Sequence, residues 1–159
     1  MEIHAIIKIQ YSSVLTGKEE REKRMHIILC VDDRFGMLFN GRRLSRDSAL
    51  VKDVVKFCRG EKLWVNEYSD GLFSRYGCSA QICDPDFLKN AGPRDFCFVE
   101  NSDPAPYREK IAGIILYRWN RRYPADIFFD VSLLEGRNLI ERTEFPGSSH
   151  EKITREVYR

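Results

Sequence analysis

Histidine is scarce in this chain: His4, His26 and His150 are the whole set, and they lie far apart. A two-zinc hydrolase needs clustered ligands of the kind His-x-His-x-Asp-His, which these three residues do not supply. The five cysteines are an odd number and form no CxxC pair, although Cys78 and Cys83 are close. That usage reads as reduced thiols in a cytosolic protein. Cys30 and Cys97 lie in apolar strand-like runs and read as core residues. No hydrophobic run is long enough to span a bilayer, which argues against a membrane protein. The N-terminus lacks a signal-peptide pattern, because its charged residues follow its apolar ones. A net charge of +2 is too small to argue for a nucleic-acid partner. Internal repeats and low-complexity tracts are absent. A soluble, cytoplasmic protein is expected.

What is present suits one domain with a real core: 159 residues, with ordinary hydrophobic and charged fractions. The organising stretch is 25–57. It opens on a continuous apolar run, His26-Ile27-Ile28-Leu29-Cys30-Val31, which reads as a strand buried on both faces. Asp32-Asp33 stop the run. Gly36 and a polar loop, Asn40-Gly41-Arg42-Arg43, follow. A helix is expected next, capped by Ser45, with Asp47 in its first turn where the dipole favours a carboxylate. Leu50, Val51, Val54, Val55 and Cys58 share one helical face, and Gly60 stops the helix. A carboxylate and three arginines thus gather at the exit of a central strand, where open α/β sheets bind ligands.

Further on, 62–66 reads as a strand, and Ser69 as the cap of a brief helix ending at Gly77. Asp84-Pro85-Asp86 reads as a helix start and Gly92 as its stop. Residues 95–99 read as a strand, 104–112 as a short helix and 114–117 as a strand. Strands alternating with helices imply a largely parallel sheet. The end differs: 139–144 and 152–158 read as an antiparallel pair at a sheet edge. The expected fold is single-domain α/β, a mixed sheet with a parallel centre and an antiparallel C-terminal hairpin, flanked by short helices. The exposed edge strand would permit a homodimer.

The order of these parts resembles the dihydrofolate reductase fold over 25–159. Val31-Asp32, Gly36-Met37 and Asn40 are similar to that family's first strand and mobile loop. Leu44-Ser45-Arg46-Asp47 is similar to the start of its first helix, so Asp47 matches the acid that binds the pterin ring. Leu63-Trp64-Val65-Asn66, Pro106-Tyr107, Asp126-Ile127-Phe128-Phe129 and Ser149-His150 follow the family's later order. The family holds the NADPH pyrophosphate with a Gly-Arg-x-Thr turn and a Gly-Gly pair. Here those places read Asn66-Glu67-Tyr68-Ser69 and Glu100-Asn101. Glu67 and Glu100 are therefore expected to put negative charge where phosphates would lie, and no cofactor is expected. Residues 25–159 also resemble short bacterial proteins that carry the label ribonuclease Z, an activity that the histidine count does not support.

Each candidate functional residue has a plainer alternative. Asp47 is a buried acid or ligand anchor, or only a complement to the helix dipole. Asn40, Arg42, Arg43 and Arg46 bind a phosphate or carboxylate, or form a solvated basic loop. His150 is an acid–base group, or a turn histidine. Asp32-Asp33 hold Mg²⁺ with Asp47, or merely bond the turn. Arg118, Trp119, Arg121, Arg122 and Tyr123 form an RNA-stacking surface, or a strand end with stacked Arg and Trp. The expected function is binding of a small polar or phosphorylated ligand without NADPH-dependent reduction. An RNA-processing nuclease and a reductase holding NADPH in a new way are the alternatives.

Residues 1–24 read as a non-native or flexible extension, with Met25 as the natural start. The run 17–24, Gly-Lys-Glu-Glu-Arg-Glu-Lys-Arg, can be encoded by purines alone, as a translated ribosome-binding site would be. The alternative is a real amphipathic extension that pairs with the sheet or a partner. N-terminal mass analysis of the native protein should find Met25 first; a mature chain beginning at Met1 excludes this reading.

Overall fold

The computed structural model describes residues 24–78 and 80–159. The reading of 1–24 as an extension falls, but for Arg24, outside the described residues. A seven-stranded sheet forms the centre, in the order β5-β4-β6-β1-β7-β10-β9. Its strands are β1 (Met25–Val31), β4 (Leu63–Val65), β5 (Gln81–Cys83), β6 (Phe96–Phe98), β7 (Ile111–Arg118), β9 (Leu139–Phe145) and β10 (Ile153–Tyr158). Pairing is parallel from β5 through β7, and β10 and β9 join antiparallel. The α/β architecture with a parallel centre and an antiparallel C-terminal hairpin is therefore observed.

β1 is buried on both faces because every second residue feeds a different core. Ile27, Leu29 and Val31 pack into one cluster, and Ile28 packs into the other with Leu50, Val51 and Val54. The last three come from helix α1 (Ser48–Phe57), whose apolar stripe lies on the sheet. Helix α2 (Glu67–Ser74) follows β4 and buries Phe73 edge-on against Phe98, with ring centres 4.8 Å apart.

Helix starts differ from the sequence reading in a consistent way. Asp47, not Ser45, caps α1, accepting from the amides of Ala49 and Leu50. Asn66, not Ser69, caps α2, which ends at Ser74 rather than Gly77. Asp84 starts no helix; it accepts the Asp86 amide at 2.8 Å and holds the Asn90 side chain, and helix α3 (Phe87–Asn90) follows. For α1 and α2 the side chain whose oxygen reached free amides took the cap, whereas the α3 cap position, Asp86, makes no side-chain cap bond. Residues Ala105–Lys110 form a 3₁₀ turn, and Ile111 already belongs to β7.

A small second sheet was not expected. Strands β2 (Gly36–Phe39), β3 (Arg42–Arg43) and β8 (Ile127–Phe128) pair antiparallel in the order β3-β2-β8. The loop Asn40-Gly41 is a tight hairpin turn with φ values of 50° and 72°, the left-handed pair that Asn-Gly provides. Gly36 is required for space: a Cβ there would lie 2.6 Å from that of Ala125 and 2.9 Å from Asp32 Oδ1.

His26 stacks on Phe96 with ring centres 5.1 Å apart. Burial first, then the charges of Arg159 and Arg137, lower its pKa to about 4. An unfolded histidine takes up its proton near 6.5, so between these values the unfolded chain binds more protons. Stability should therefore fall as pH drops from about 6.5 to about 4, by on the order of 3 kcal/mol. Denaturant midpoints across that window check this, and His26→Gln should flatten the slope.

Candidate functional site

Seven polar groups, six of them donors, surround the carboxylate of Asp47. Oδ1 accepts from the amides of Ala49, Leu50 and Ser148 and from the Ser148 hydroxyl, at 2.9 to 3.2 Å. Oδ2 faces the Ser149 amide at 2.9 Å, the Ser149 hydroxyl at 3.2 Å and His150 Nδ1 at 3.0 Å. The Asp47 side chain is fully buried and that of His150 is 3% exposed. Burial would raise the Asp47 pKa, but the Ser148 and Ser149 amides, the His150 ring and the Leu50 amide outweigh it and hold the acid well below the usual carboxylate range. Such a multiply bonded carboxylate stays charged at any ordinary pH. The loop between β9 and β10 is thereby fastened to the start of α1. Ser148 Oγ also accepts the Ser48 amide, and Ser149 Oγ donates to the Arg46 carbonyl at 2.6 Å. Gly147 makes the approach possible, since a Cβ there would lie 2.5 Å from Asp47 Oδ2.

The structure thus brings Asp47 and His150 together, across 103 positions of sequence. Nδ1 faces the carboxylate at 3.0 Å, and Nε2 lies 2.8 Å from the Tyr123 hydroxyl. The ring stacks on Trp119 with centres 4.7 Å apart. Both ring nitrogens are engaged. A cavity of about 570 Å³ lies beside this stack, lined in part by Asn120, Arg121 and Lys152.

A second cavity, of about 320 Å³, has Arg43, Arg46, Tyr68, Arg75 and Tyr76 among its lining residues. α1 supplies one wall and α2 the other. Arg43 is spoken for: its Nε and Nη2 donate to the two oxygens of Glu100, each at 2.9 Å, and its guanidinium lies 4.6 Å from the centre of the Tyr68 ring. Ser69 Oγ donates to the same carboxylate at 2.6 Å. Arg46 and Arg75 form no ion pair among the described residues.

Other candidates sit elsewhere. Asn40 and Arg42 are exposed at the β2–β3 hairpin and do not line this cleft; the Asn40 amide donates to Asp126 at 3.0 Å. Asp32 is buried and accepts the amides of Arg34, Gly36 and Tyr123, so it closes the turn after β1. Among the described residues no group of three or more His, Cys, Asp or Glu could hold a metal ion, which corrects the Asp32–Asp33–Asp47 possibility. Trp119 is 5% exposed and Arg118 pairs with Glu156, so neither presents an open stacking face. Glu67 is exposed in the first turn of α2 and lines neither cavity, so the two glutamates do not share a groove as expected. Sequence reasoning gave Arg75 no role; it took Ser149-His150 as part of the closing hairpin and Tyr123 as part of a stacking surface, and did not foresee their bonds to Asp47 and to one another, because Asp47 lies a hundred residues away.

No family model matches the chain, and no curated protein matches its sequence. Structure comparison does find a relative in shape, a dihydrofolate reductase from Enterococcus faecalis complexed with NADP(H) and RAB-propyl. The TM-score is 0.58 at 9% identity, covering 86% of this chain and 95% of that one. The chain therefore has a dihydrofolate reductase-like fold. At that identity the likeness establishes the fold alone. No helix among the described residues is long and apolar enough to cross a membrane.

Asp47→Ala should lower unfolding stability by about 2–4 kcal/mol, because it removes a cap and orphans several loop donors. Gly147→Ala should cost about 1–3 kcal/mol by forcing the loop off the carboxylate. Chemical denaturation of both variants beside wild type checks this. Hydrogen exchange should rise together in 147–150 and the first turn of α1.

Proposed function

We propose that this protein binds a small anionic ligand, phosphorylated or carboxylated, in the cleft between α1 and α2, and that it does not reduce substrates with NADPH in the manner of the fold's namesakes. The observation that carries the first half is the pair of guanidinium groups, Arg46 and Arg75, that share one cleft with Tyr68 and Tyr76 and have no ion pair among the described residues. Unpaired guanidinium forks suit bidentate recognition of phosphate or carboxylate, and the phenols add flat contact surface and hydroxyls. Arg43 shapes the cleft rather than offering free charge. Asp47 and His150 act by position, holding the loop against α1.

The second half rests on Glu100. Where the resemblance calls for a glycine that lets backbone amides meet a pyrophosphate, this chain has a glutamate 9% exposed and bonded to Arg43 and Ser69. A phosphate brought within about 4 Å of that carboxylate would meet a repulsion of about 1 kcal/mol in water and more in a cleft. Displacing the glutamate would strand a buried guanidinium. The residues present do not fit the nucleotide.

A thermal-shift screen against folates, nucleotides and phosphorylated metabolites tests the reading. At least one anionic compound should raise the melting temperature, and Arg46→Gln combined with Arg75→Gln should abolish that shift. NADPH should give none at millimolar concentration. A screen without any shift, or one unchanged in the double variant, refutes the binding proposal; saturable NADPH binding refutes the other half.

A further inference from the structure

A third cavity, of about 470 Å³, lies on the other side of the Arg43–Glu100 pair. Its walls come from two segments: the loop after β6, with Asn101 and Asp103, and the β8 region, from Asp126 to Asp130. The floor is apolar. Met37, Leu38 and Phe129 are buried there, while Ile127 and Phe128 are 52% and 50% exposed. Among the described residues no lysine or arginine lines it, and the carboxylates are the only charged side chains that do. Glu100 is neutralised by Arg43, but Asp103, Asp126 and Asp130 have only uncharged donors: the amides of Ala105, Asn40 and Ser132, each at 3.0 Å. Arg108 is near Asp130, but its guanidinium donates to Ser132 Oγ.

We propose that this cavity is a binding site for a small organic polycation, an amine of at least two positive charges joined by an apolar spacer. Three observations support such a ligand. An apolar floor with two half-exposed hydrophobic side chains favours a carbon chain over a hydrated metal ion. Unpaired carboxylates on both walls favour two separated ammonium groups. The half-exposed Phe128 supplies an aromatic ring to which a cation is attracted. The volume suits a small molecule rather than a folded partner. The site is separate from the anion cleft and carries the opposite sign, so this inference goes beyond the function proposed above.

Isothermal titration of the whole chain with octamethylenediamine tests it, with MgCl₂ at matched ionic strength as control. Binding should saturate at one site with a Kd below about 1 mM. Asp126→Asn with Asp130→Asn should weaken it at least about tenfold, and so should Phe128→Lys, which alters only an exposed side chain. Arg75→Gln should leave it unchanged, which separates this site from the anion cleft. Absence of saturable heat, equal affinity in these variants, or full displacement by Mg²⁺ would overturn the proposal. So would tight binding of a lysine-rich peptide by a protein that ignores the diamine.

Discussion

One buried carboxylate holds the functional end of this molecule together. Asp47 caps α1 with one oxygen and receives the β9–β10 loop with both, and its charge is spread over amides, hydroxyls and an imidazole. Ionised acceptors make the stronger hydrogen bonds, and here they are shielded from solvent. Three things follow from that arrangement. The first turn of α1 is fixed, so Arg46 and Ser48 are held at the rim of the cleft toward α2. The His150 ring is fixed in orientation, which in turn positions Tyr123 and packs Trp119. The last hairpin, otherwise an edge of the sheet, is tied to the body of the domain.

Charge on this fold is sorted by place. The parallel strands end at a row of loops, as in other open α/β sheets, and ligand sites are expected there. On one side of the Arg43–Glu100 pair the lining is cationic and aromatic; on the other it is acidic and apolar. The pair itself is a partition, half of it drawn from each side. A buried, paired glutamate stands at this place on a dihydrofolate reductase-like backbone, and the proposal that nucleotide is excluded rests on it. Fold and chemistry separate readily when a handful of side chains changes and the sheet does not.

Most of the sheet could be read from the chain. The unbroken apolar run of β1 had one physical explanation, burial on two faces, whereas the alternation of β10 misled about its polar face: Thr154 and Glu156 are buried, because β10 lies between β7 and β9 and the edge is β9. Strands this strongly patterned are hard to misplace. Helix starts were harder, because Ser45 against Asp47, or Ser69 against Asn66, is a competition among neighbouring oxygens decided by tertiary partners. Asn66 accepts the Ser69 amide, so Ser69 lies within the helix and its hydroxyl donates to Glu100. The Asn40-Gly41 turn carried a clear hairpin signature, but its strands are only two to four residues long, too short for alternation to show. At the site, Asp47 and His150 were each visible as polar residues at an element boundary. Their meeting was not, since no local pattern links residues so far apart. The unpaired state of Arg75 and the buried state of Glu100 are likewise facts of three dimensions.

The seals on α1 arrive late. Ser148, Ser149 and His150 follow Asp47 by about a hundred residues, within the closing tenth of the chain. During synthesis the helix therefore emerges with a charged carboxylate that only its own two amides can answer. The remaining donors have not yet been made when the helix forms, since they lie 101 to 103 positions further along. Closure of this end of the domain therefore waits on a loop translated long after the helix it seals.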